Sequence, residues 1–74
     1  MTLGQWIKWA NELNDGKVTV DMDDSFAYGY VISLTPGMIA AACQIEGLNF
    51  RGVYSSTVVK DRICLFWSIA KVPI

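Results

Sequence analysis

The sequence predicts one α+β domain, a four-stranded, mainly antiparallel sheet with two helices packed on one of its faces, in the order α-β-β-α-β-β. Three features carry that expectation. Apolar residues recur at helical spacing after Thr2, strict alternation follows from Lys17, and Thr35-Pro36-Gly37 opens a second helix between two β-rich stretches.

Thr2 and Gln5 have the spacing of a capping box, in which hydroxyl and amide each satisfy an orphan backbone N–H. Leu3, Trp6, Ile7, Ala10 and Leu13 then share one helical face, with Trp9 at its edge. Asn14-Asp15-Gly16 ends the helix, Gly16 being free to turn left-handed. From Lys17 to Met22, Val18, Val20 and Met22 alternate with Lys17, Thr19 and Asp21, the pattern of a half-buried strand. Asp23-Asp24-Ser25 is a turn. Phe26 to Leu34 forms the return strand of a hairpin, with Phe26, Tyr28, Tyr30, Ile32 and Leu34 on one side and Ala27, Gly29, Val31 and Ser33 on the other.

Thr35 is the N-cap of the second helix, and Pro36 takes its first position, where a missing N–H costs nothing. Met38 to Ile45 is apolar nearly all round, so this helix is expected to be central and buried until Gly47 stops it. Its alanines allow close approach to a sheet, with Ala27 and Gly29 as the docking surface. A loop over 48–52, a strand over 53–59, a turn at Lys60-Asp61-Arg62 and an interior strand over 63–69 complete the chain, with Pro73 as terminator. Thr-x-Gly at both helix starts and Gly at both ends hint at an αββ duplication, 1–34 and 35–74, within the single 1–74 domain.

The chain is 53% hydrophobic and only 18% charged, against about 25% charged in an average soluble domain. So apolar a small domain packs very tightly or leaves surface for something else to cover, and a homo-oligomer is expected on this ground. The net charge of −1 is unevenly spread: residues 1–48 carry −4 and residues 49–74 carry +3. Cys43 and Cys64 are too few for a disulfide scaffold and read as two buried thiols in a reducing cytosol. Ser25 to Ile45 is uncharged and long enough to span a bilayer, but its central Pro-Gly favours strand plus helix over a membrane segment.

Catalytic patterns are scarce. The chain has no histidine, which removes imidazole acid–base chemistry, Ser-His and Cys-His pairs and most zinc sites. Asp21, Asp23 and Asp24 begin like a calcium loop, yet Phe26 and Ile32 stand where that loop needs Gly and Glu. Tyr54-Ser55-Ser56-Thr57 offers hydroxyls without a base beside them. Cys43 to Val53 has the turn spacing of a helix-turn-helix, but Gly52, Val53, Thr57, Val58 and Val59 are poor material for a recognition helix. No catalytic residue, cofactor or metal site is therefore expected.

What remains is binding. The leading expectation is a cytoplasmic, non-enzymatic inhibitor or adaptor that occupies a surface of another protein. Its size and composition are those of phage or mobile-element inhibitors of host systems such as CRISPR defence. If Phe26, Tyr28 and Tyr30 face away from the helices they form an exposed aromatic strip, with Trp9 at its rim. The alternative is a small nucleic-acid-binding, regulator-like domain using Arg51, Tyr54, Lys60 and Arg62.

Overall fold

A computed structural model describes residues 1–57 and 59–70. Helix α1 (Leu3–Leu13) starts at the expected capping box: Gln5 N donates to Thr2 Oγ1 at 3.2 Å and Thr2 N donates to Gln5 Oε1 at 2.9 Å. Helix α2 (Pro36–Ala42) starts at Thr35, whose hydroxyl accepts from Met38 N, with Pro36 inside the first turn. Strands β1 (Thr19–Met22), β2 (Phe26–Val31), β3 (Leu48–Ser55) and β4 (Ile63–Ile69) form one open antiparallel sheet in the order β1-β2-β4-β3. This order is unchanged when the two αββ halves are exchanged.

Both helices lie on the face made by Ala27, Gly29, Val31, Leu65 and Trp67. Two indoles fasten the layers. Trp6 of α1 meets Trp67 of β4 edge to face, ring centroids 5.4 Å apart. Trp6 Nε1 donates to Met38 O at 3.2 Å and Trp67 Nε1 donates to Ala42 O at 2.9 Å, so both N–H groups end on the backbone of α2. Each ring thus buries its apolar area and still satisfies its one polar atom. Gly29 is small because the Trp67 ring needs the space: a Cβ there would stand 3.0 Å from the ring. The room left by Gly29 is filled by the Trp67 and Trp6 indoles, where Ala27 and Gly29 were expected to dock the α2 alanines.

Several boundaries differ from expectation, each for a local reason. Strand β2 stops at Val31 rather than Leu34 because Asn14 captures the chain: its Oδ1 accepts from Ile32 N at 2.9 Å and from Ser33 N at 2.8 Å. The same amide donates to Ala10 O at 2.9 Å, so a residue read as a helix terminator ties α1 to the exit of β2. Helix α2 ends at Ala42, not Ile45. It is half solvated, with Ala40 and Cys43 exposed, so the two-buried-thiols reading holds for Cys64 alone. Strand β3 begins at Leu48, five residues earlier than expected, because Leu48 and Phe50 alternate inward before a bulge between Phe50 and Gly52. It ends at Ser55, and the expected extension to Val59 includes Val58, outside the described residues. The same strand removes the helix-turn-helix, since β3 stands where a recognition helix would be. Pro73 also lies outside the described residues. No helix among the described residues is long and apolar enough to cross a membrane.

Candidate functional site

The sheet face away from the helices is built in three rows by the strand register. Phe26, Ser68 and Asn49 form the first row, at the end of the sheet that carries the β1–β2 turn. Asp21, Tyr28, Phe66 and Gly52 form the second. Thr19, Tyr30, Cys64 and Tyr54 form the third, at the end that carries the β3–β4 turn. Side chains directly opposite in an antiparallel pair share a face, so this arrangement follows from backbone pairing alone.

The aromatic rings pack on one another. Tyr28 stacks on Phe66 with centroids 5.4 Å apart, and Phe26 lies 5.2 Å from Phe66 and 6.4 Å from Tyr28. Gly52 stands opposite Phe66 on β3 and leaves that flank of the ring without a cross-strand side chain. Phe26 is 37% exposed and Tyr54 47%, whereas Tyr30 is only 7% exposed. The aromatic surface therefore runs diagonally from Phe26 through Tyr28 and Phe66 to Tyr54.

Of the residues expected to form a protein-binding strip, Phe26 and Tyr28 are on this surface. Tyr30 shares the face but is buried, so it supports its neighbours rather than contacting anything outside. Trp9 is a correction: it packs partly buried against the helix-side core, near Gly37 of α2, and is not at the rim of this face. Tyr54, expected in the nucleic-acid set, joins the aromatic face instead, while Arg51 sits exposed at the β3 bulge and Lys60 and Arg62 lie in the β3–β4 turn. Phe66 was missed because 63–69 is apolar on both sides. The available signal was that Ile63, Leu65, Trp67 and Ile69 are all large, while Phe66 alternates with Cys64 and Ser68.

Charge divides the two ends. Asp21 stands opposite Tyr28, and Asp23 and Asp24 form the turn beside Phe26. Asp23 Oδ1 accepts from Ser25 N and Phe26 N at 2.8 and 2.7 Å, and these donors hold its carboxyl below the usual carboxylate value. In the third row Tyr54 stands opposite Cys64, a neighbour that pushes its pKa up to about 12, while the Cys64 thiol itself donates to Leu65 O at 3.6 Å. Burial likewise raises Cys64, which stays a thiol and so a weak nucleophile. A recess lined by Leu13, Asn14, Asp15, Lys17, Ile32 and Ser33 offers little chemistry, because the amide of Asn14 is committed to Ala10, Ile32 and Ser33. Among the described residues no group of three or more His, Cys, Asp or Glu is placed to hold a metal.

No known family, curated protein or solved structure matches the chain. The face itself is then the basis for a functional reading.

Proposed function

We propose that the chain is a non-enzymatic protein-binding module, an inhibitor or adaptor that lays its helix-free sheet face on a partner protein. The observation that carries the reading is the packed trio Phe26, Tyr28 and Phe66 on the face that neither helix covers. Rings held by one another lose little further entropy on binding, and aromatic anchors desolvated at the centre of an interface supply most of its energy. The acidic rim of Asp21, Asp23 and Asp24 steers this end toward a basic protein surface and repels phosphodiesters. Size and a charge-poor composition extend the proposal to the inhibitors that phages and mobile elements direct against host systems such as CRISPR defence. Nucleic-acid binding through Arg51, Tyr54, Lys60 and Arg62 is the competing reading; it has less support, because these residues are spread from the β3 bulge to the β3–β4 turn.

A tagged pull-down from bacterial lysate tests this. One stoichiometric protein is expected to survive nuclease treatment, to be lost with the Tyr28→Ser/Phe66→Ser double variant, and to persist with Lys8→Ala on the solvent side of α1. Tyr30 is left intact because its burial makes it part of the fold. Capture unchanged by the double variant would remove the face from the interface, and capture abolished by nuclease would shift the function to nucleic acid.

A further inference from the structure

The two charged turns occupy opposite corners of the aromatic face. Strand β2 runs from Phe26 to Val31 and β4 returns from Ile63 to Ile69, so the 23–25 turn joins β1 to β2 at one end of the sheet. The β3–β4 turn, with Lys60 and Asp61, lies at the other end. The first corner carries Asp23 and Asp24, with Asp21 just inside it. The second carries Lys60 and Arg62, with Asp61 between them. The aromatic diagonal from Phe26 to Tyr54 connects the two corners.

We propose that this face pairs with a second copy of the chain, face to face, about a two-fold axis lying in the interface and crossing the aromatic diagonal. That operation sets the acidic corner of one copy on the basic corner of the other, twice over. It also sets Phe26 against Tyr54 of the second copy, and the two Tyr28–Phe66 stacks against each other at the centre. The strands of the two sheets then cross steeply, in the orthogonal class of sheet packing. An isologous contact needs a self-complementary surface, and a patch with opposite charges at its two ends and rings between them has that property.

The area sets the strength. Four strands at about 4.8 Å spacing and six residues at about 3.4 Å rise give about 400 Å² per copy, half the ~800 Å² of a standard interface. The pairing is therefore weak, concentration-dependent and displaceable by a tighter partner. It rests on the protein-binding reading of the same face and adds its first occupant.

The test is sedimentation equilibrium of the full chain over rising concentration. The wild type is expected to be in monomer–dimer exchange that weakens with salt. Asp21→Lys/Asp24→Lys and Lys60→Glu/Arg62→Glu variants, which spare the turn-forming Asp23, are each expected to dimerise at least about tenfold more weakly. Mixed one to one they are expected to recover dimers, because one copy is then basic at both corners and the other acidic at both. A wild type that stays monomeric, or variants that self-associate like it, overturns the proposal. Circular dichroism confirms that each variant is folded. A monomeric wild type that still captures a partner through Tyr28 and Phe66 defeats the dimer alone. Capture that ignores Tyr28 and Phe66 defeats the underlying reading.

Discussion

Phe66 and Trp67 are neighbours in β4 with opposite fates. Trp67 is fully buried, with its N–H on Ala42 O and its ring against Trp6 and Phe50. Phe66 is half-buried, stacked on Tyr28 and Phe26, under a face that carries no helix. The difference comes from what stands across β2. Ala27 and Gly29 leave a hollow that an indole and two helices close, whereas Phe26, Tyr28 and Tyr30 fill their own side with rings that support one another. A two-layer domain this small has helices for only one sheet face. Phe26, Tyr28 and Phe66 on the other face are left partly exposed, and this is the surface that the proposed partner would cover.

The comparison can be broken most severely on the covered side. Trp67→Ala is expected to cost about 3–5 kcal/mol, a large share of the ~4–11 kcal/mol that a chain of this length commands. It removes the ring that fastens β4 to both α1 and α2, and urea denaturation monitored by circular dichroism should show the midpoint displaced far toward zero denaturant. Next in size is Asn14→Ala, which leaves Ile32 N and Ser33 N without their acceptor and Ala10 O without its side-chain donor. A loss of about 2–4 kcal/mol is expected in the same measurement. A change below about 0.5 kcal/mol would mean that water replaces the amide and that the β2 exit is not fastened there. Gly29→Ala follows, at about 1–3 kcal/mol, because the new methyl meets the Trp67 ring at 3.0–3.1 Å and the indole must shift.

Those three residues also mark what was legible in the sequence. The element order, the capping box, both helix N-caps and the four strands followed from periodicity and cap chemistry, which act over a few residues. The roles of Asn14 and Gly29 were not legible, since each depends on a residue brought close only by folding: Ile32 and Ser33 for one, Trp67 for the other. The early start of β3 was hidden because Leu48-Asn49-Phe50-Arg51-Gly52 alternates for only three residues before a bulge interrupts the period. The candidate face was half legible. Phe26, Tyr28 and Tyr30 were visible as one strand face, but which face the helices cover depends on sheet packing. That packing buried Tyr30, moved Trp9 to the other layer and brought in Phe66 and Tyr54.

On the open side the expected stability effects are smaller and the binding effects larger. Tyr28→Ser/Phe66→Ser removes stacks worth about 0.5–1.5 kcal/mol each in addition to the buried part of two half-exposed rings, so the protein should be weakened yet folded while partner capture is lost. Equal losses of fold and binding would make the face a second core instead of an interface.

The smallest effect separates the two ends of that open face. Tyr54 has its pKa raised from 10.0 to about 12, chiefly by the Cys64 thiol that stands opposite it, and Cys64 is raised above 9.0 by burial. A group whose pKa is higher folded than unfolded stabilises fully below its unfolded value and loses that contribution as pH climbs toward the folded one. The Tyr54 contribution is thus whole below about pH 10 and fades between about pH 10 and 12, and the Cys64 contribution begins to fade above about pH 9. Tyr54→Phe should lower the urea midpoint slightly at pH 7, where the hydroxyl contributes in full, and flatten, without abolishing, its decline above pH 10. The remaining slope comes from Cys64 and from Tyr30, which burial also raises. Identical alkaline slopes in wild type and variant would mean that Cys64 leaves the Tyr54 hydroxyl as free to ionise in the folded chain as in the unfolded one. The alkaline sensitivity of the third row would then belong to Tyr30 and Cys64, the two buried members of that row, and Tyr54 would serve the open face by its ring alone.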